Sequence, residues 1–165
     1  MDHEESQLAN IAIDGSNINV RDVISKLRFI SKIEKDEKLV TNNKSNPYVI
    51  TDTNLNKILR TCGIAPGSKE DTLEFIKNTI EKGLELAKIC LASNNQFHQN
   101  IAKLIIESID QADKGIQNIM YTYSKKPKYR LFVAEVETFR QILDARIKSI
   151  DGVPIERWHI VVYTF

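Results

Sequence analysis

The segment Ser68 to Leu91, SKEDTLEFIKNTIEKGLELAKICL, constrains the fold more than any other part of the chain. Leu73, Ile76, Ile80, Leu84, Ala87 and Leu91 recur at steps of three and four, the spacing that places side chains on one side of an α-helix. Ser68 is suited to cap the N-terminus, and Asp71 follows it at the position of a weaker relative of the capping box. Glu70, Asp71 and Glu74 set negative charge against the positive end of the helix dipole, and Lys88 suits the other end. At 1.5 Å per residue the helix is about 36 Å long. A lone amphipathic helix of this kind is marginal in water, so the chain must supply helices of comparable length to cover it.

The flanking chain offers them. Asn19 is placed as an N-cap, with Asp22 at the third helical position, for a helix carrying Val20, Val23, Ile24, Leu27, Ile30 and Ile33 on one face. The mixed-charge run Glu34 to Lys38 is its solvated exit. Beyond the central segment, Ser93-Asn94-Asn95 is a short polar break. Phe97, Ile101, Leu104, Ile105, Ser108, Ala112, Ile116, Ile119 and Tyr123 then define the longest helix, which so short a link forces to run back antiparallel. After Ser124 to Lys128, the positions Tyr129, Phe132, Val136, Phe139, Leu143, Ile147 and Ile150 define a third long helix. Gly83 and Gly115 fall inside these helices, where glycine costs about 1 kcal/mol relative to alanine, and so mark expected close helix crossings.

Two stretches have β character. Leu39-Val40-Thr41 and Tyr48-Val49-Ile50-Thr51 flank the turn-rich Asn42 to Pro47, which predicts a small hairpin over 39–51. Asp52 or Thr53 then caps a short helix through Leu55, Ile58, Leu59 and Cys62, closed by Gly63. The ending VPIERWHIVVYTF is β-branched and aromatic: Trp158, Ile160, Val162 and Thr164 fall on one face of a strand, His159, Val161, Tyr163 and Phe165 on the other. A strand apolar on both faces either pairs with the hairpin or adds to a sheet edge on another molecule. The tail residues Trp158, Ile160, Val162, Tyr163 and Phe165 are therefore interaction candidates. The expected fold is mainly α, an antiparallel bundle of three long helices plus an N-terminal amphipathic helix, with a small β element of hairpin and C-terminal strand. It forms a single domain over 1–165, with a polar arm at 1–16 in which no pattern is long enough to specify an element, a helical bundle at 17–150 and a β tail at 153–165.

Charge and chemistry narrow the function classes. With 23 basic and 22 acidic residues the net charge is +1, which removes the electrostatic basis for a non-specific nucleic-acid binder. The short basic-aromatic cluster Lys125, Lys126, Lys128 and Arg130, near Tyr121, Tyr123 and Tyr129, is the one candidate for phosphate contact. A solvated interhelical loop with core tyrosines explains it better. Cys62 and Cys90 read as small core residues of a reducing compartment. No apolar run approaches the ~20 residues of a membrane span, and the N-terminus lacks a secretory apolar region. The sequon at Asn43 is accordingly a chance match. His3, His98 and His159 have no partners at metal-ligand spacing, and no cofactor is expected. Gly63 to Lys69 has the wrong spacing for a phosphate loop, and no nucleophile elbow occurs, so no catalytic residues are expected.

NVRDVISKLRFISKIEKDEKL, EDTLEFIKNTIEKGLELAK and the region from Ser108 to Ile147 resemble a group of small helical proteins of nucleocytoplasmic large DNA viruses. The resemblance rests on the KLRFISKI opening and the TLEFIKNTI helix; it covers over half of the chain and leaves out Val153 to Phe165. It implies a non-enzymatic minor capsid or capsid-associated protein, made in the host cytoplasm and found in the virion, that ties neighbouring coat subunits together. The implied partners are other capsid or virion proteins, or a second copy. A host-directed helical protein-binding module is the alternative.

Overall fold

The computed structural model describes residues 11–13, 16–35, 54–63, 65 and 67–150, and these are mainly α-helical. The expected hairpin over 39–51 and the tail strand over 153–165 lie outside the described residues. Ile11–Ile13 (β1) and Ser16–Ile18 (β2) pair antiparallel, with Ile11 opposite Ile18. The first of these strands falls within the arm where no element was expected. An Asp-Gly pair directly after the apolar Ile11-Ala12-Ile13 is the signal for it, legible only in a window shorter than a helix needs.

Helix α1 (Val20–Ser31) starts where expected: the Asn19 side chain accepts from the Asp22 backbone N–H at 3.1 Å. Its five apolar-face residues Val20, Val23, Ile24, Leu27 and Ile30 are buried, and Ile33, expected on the same face, is buried just past the end of the helix. The short α2 (Asn54–Thr61) is followed by Gly63 at φ 77°, the left-handed turn that favours glycine after a helix. In α3 (Lys69–Ala92) the capping box is reciprocal, with the Asp71 N–H donating to Ser68 Oγ at 3.1 Å and the Ser68 N–H to Asp71 Oδ2 at 3.4 Å. Beside its expected apolar row, Thr72, Thr79, Gly83, Leu86 and Cys90 are also buried. A second buried row means that α3 is covered from two sides.

The link to α4 (Gln96–Ser124) is held by its own side chains. Ser93 Oγ accepts from the Asn95 N–H at 3.1 Å and lies 3.0 Å from His98 Nδ1, Gln99 Nε2 donates to the Ser93 carbonyl at 3.0 Å, and Asn95 Oδ1 caps α4 through the Phe97 N–H at 2.8 Å. A 3₁₀ turn, Pro127–Tyr129, leads into α5 (Arg130–Lys148). Gly83 of α3 faces Ile105 and Ile109 of α4, about equally far from the link, so these two helices run antiparallel. Leu27 of α1 also reaches Gly83, and Ile30 and Ile33 reach Gly115, so α1 climbs in step with α4.

The centre of the bundle is α4, which packs on α1, α3 and α5. Its burial extends beyond the expected row to Ala102, Ile106, Ile109, Asp113, Gly115 and Met120. Both glycines are indeed at crossings, of unequal tightness. A Cβ on Gly83 would sit 3.3 Å from Ile109 Cδ1, whereas one on Gly115 would sit 1.9 Å from the Ile30 carbonyl oxygen. Beside that notch, Asn118 Nδ2 donates to the Ile33 carbonyl at 2.7 Å and takes up an acceptor left over at the end of α1. Helix α5 is attached differently. Arg140, fully buried, donates through Nε to Asp113 Oδ1 and through Nη2 to Asp113 Oδ2, both at 2.6 Å, and Gln117 Nε2 adds a bond to Oδ2 at 2.7 Å. The planar fork of the guanidinium matches the carboxylate at both oxygens.

Candidate interaction surface

Three polar or apolar groupings compete as functional sites, and burial separates them. The Asp113, Arg140 and Gln117 cluster has the chemistry of a binding site, but Arg140 is 0% and Asp113 5% exposed, and both Asp113 oxygens are taken by Arg140 and Gln117. It is a helix lock. The thiols of Cys62 and Cys90 are both pushed up by burial, the opposite of what activates a cysteine nucleophile.

The basic cluster lies at one end of the bundle, where the ends of α1 and α4 meet the starts of α3 and α5. Lys125, Lys128 and Arg130 are exposed, while Lys126 is buried, with its pKa lowered by that burial and then by the charge of Lys128. Two lysines distant in sequence join it. Lys35 lies over Tyr121 at 4.6 Å from the ring centre, with Lys125 over the same ring at 5.8 Å. Lys69 lies 5.7 Å from the Tyr129 centre and 5.5 Å from that of Phe132, and Lys128 is 5.4 Å from Tyr129. Tyr123 and Tyr129 are buried and pack edge-on to each other at 4.6 Å. Tyr123 and Tyr129, sealed into the core in this way, have no face left for stacking bases, and the half-buried Tyr121 has Lys35 and Lys125 over its ring.

The third grouping is the outer face of α5. Leu131 is 86% and Ile142 54% exposed, the two large apolar side chains left in solvent among the described residues. Ala134, Thr138 and Ala145 are exposed with them. At 100° per residue all five fall within one narrow strip, opposite the buried Val136, Arg140 and Ile147. This strip borders an open groove of about 620 Å³ between α3 and α5, floored by Phe139. Ion pairs cross the groove from Lys77 to Glu135 at 3.0 Å and from Arg146 to Glu81. Both pairs ascend together in number, so α3 and α5 run parallel, each antiparallel to α4.

Sequence reasoning missed this strip because it followed the core-facing row of α5, and Leu131 and Ile142 lie off that row. The signal available was two large apolar residues left over on the polar side of the pattern. The tail candidates Trp158, Ile160, Val162, Tyr163 and Phe165 lie outside the described residues. Among the described residues, no helix is long and apolar enough to cross a membrane. Compared with protein-family models, with curated proteins and with solved structures, the chain matches none.

Proposed function

We propose that this chain is a non-enzymatic structural protein that works through protein contacts, in the specific form of a minor capsid or capsid-associated protein of a large DNA virus. The observation that carries the protein-contact reading is the outer strip of α5, where Leu131 and Ile142 stay in solvent although neighbouring apolar positions of the same helix are buried. Apolar side chains grouped on one helix face favour a protein partner over a small polar substrate. The virion assignment rests on the resemblance of the KLRFISKI and TLEFIKNTI segments alone. In this reading the hairpin over 39–51 and the tail strand with Trp158, Ile160, Val162, Tyr163 and Phe165 form a small β element that extends the contacts made by the helices, and Lys125, Lys128 and Arg130 border them.

The groove between α3 and α5 favours one other reading, a host-directed module that holds a partner helix there. One experiment separates the two. The native source is fractionated into assembled particles and soluble material, the protein is quantified by mass spectrometry in each, and cross-links are mapped. Fixed stoichiometry in particles, with cross-links to coat proteins, supports the structural role. Copurification of soluble protein with a single cellular partner supports the module, and absence from particles without any protein cross-link removes both.

A further inference from the structure

We infer that the outer face of α5 is a self-association surface, taken by α5 of a second copy in antiparallel orientation about a two-fold axis at Thr138. This rests on reading that face as a protein-contact surface and names its occupant. The five exposed residues are placed symmetrically about Thr138: Ala134 and Ile142 lie one turn to either side, and Leu131 and Ala145 lie two turns out. In an antiparallel pair centred on Thr138, Ile142 of one copy comes level with Ala134 of the other, and Leu131 with Ala145. Each large side chain therefore meets a small one, four times over, and Thr138 meets itself across the axis. An isologous two-fold contact requires such self-complementarity of one patch with itself.

The register also gives each large side chain a place to go. Ile142 of one copy sits at the height of the gap between Leu131, Ala134, Glu135 and Thr138 of the other, the four-residue hole that receives a knob in helix packing. That gap opens on the groove beside α3, and its residues line it. The strip itself carries no charge. At its ends the register brings Arg130 of one copy level with Arg146 of the other and Lys128 level with Lys148, of which Arg146 is partly neutralised by Glu81 and Lys148 by Asp144 at 2.8 Å. The strip from Leu131 to Ala145 is about 21 Å long. A contact along one such face falls below the ~1,200 Å² of a standard interface, so the dimer forms in the micromolar range or weaker. Salt strengthens it, by screening the cations at the ends and favouring apolar burial.

The test is sedimentation equilibrium of the purified full chain from low micromolar to near-millimolar concentration, at low and high salt. Expected is a mass rising toward twice that of the monomer, more readily at high salt. A double variant Leu131→Lys with Ile142→Lys, which changes only exposed positions, weakens association by at least about a hundredfold with an unchanged melting temperature. Thr138→Cys, oxidised at a concentration where the dimer forms, gives a disulfide-linked dimer that Gln141→Cys and the unchanged chain do not. A mass that stays monomeric at every concentration, with no Thr138→Cys cross-link, overturns the inference. So does a benzophenone carried on Ile142→Cys that cross-links to residues 151–165 of its own chain, because the face is then covered from within. Cross-links from α5 to other proteins in the native source leave the protein-contact reading standing in either case, so the two failures are distinguishable.

Discussion

Helix α4 holds its neighbours by two different physical means. On the α1 side it offers an absence: Gly115 has no side chain, and the Ile30 carbonyl occupies the space a Cβ would need. Toward α5 it presents a charge, Asp113, which Arg140 meets with two hydrogen bonds in a dry setting. The first contact is tight because no side chain stands between the two backbones. The second is specific because a buried charge must be compensated. A steric notch sets how closely two helices approach, whereas a buried fork also fixes the rotation and register of α5.

The largest expected effect comes from breaking the charge side. Asp113→Ala leaves the guanidinium of Arg140 buried without its carboxylate, and urea unfolding should report a loss of ~3–5 kcal/mol. If the loss is under ~1 kcal/mol, Arg140 reaches water and the pair is not a lock. Gly115→Ala tests the steric side. A methyl group cannot fit at 1.9 Å from a carbonyl oxygen, so α1 must move away, with a net loss of ~2–3 kcal/mol after the ~1 kcal/mol that alanine returns in helix propensity. Removal of the amide beside it, Asn118→Ala, should cost ~1 kcal/mol, the worth of one hydrogen bond, and should raise hydrogen exchange in α1 above that in α5.

Gly83→Ala sharpens the contrast between the two glycines. Its nearest neighbour would be Ile109 Cδ1 at 3.3 Å, a side-chain tip that can give way, so the change should stay within ~1 kcal/mol of neutral. The smallest effect is expected from replacing the whole charge lock at once, Asp113→Leu with Arg140→Met, since an apolar pair of similar size avoids the desolvation cost. Near-neutral stability in the double variant beside a large loss in Asp113→Ala would show that the pair selects an arrangement more than it stabilises one.

These two attachments were unequally legible. Glycines inside apolar helical patterns announce close crossings, and both Gly83 and Gly115 lie at one. Side-chain caps are local, so Asn19, Ser68 and Asp71 could be assigned from a few residues. Asp113 and Arg140 could not. Each sits beside an apolar row, next to Ala112 and Phe139, where single-helix periodicity assigns a charge to solvent, and 27 residues separate them. The same reason hid the approach of Lys35 to Tyr121 and of Lys69 to Tyr129, since a bundle end collects residues from helices that are remote in sequence. Burial on most sides of α4 was equally hidden, because a row pattern counts the residues on one face and says nothing of how many neighbours share the helix.

The Asn118–Ile33 hydrogen bond joins positions 85 residues apart, which fixes an order of events during synthesis. Helices α3, α4 and α5 find one another across links of a few residues, but α1 can seat only after Gly115 and Asn118 have been made. At ~5–20 residues per second the ribosome needs roughly 4–17 s to travel that far. For that interval Val20, Val23, Ile24, Leu27 and Ile30 lack the cover that α4 gives them and can meet only α2 and α3, and a nascent chain stalled before Gly115 should recruit hydrophobic-segment chaperones that one released beyond Asn118 no longer holds.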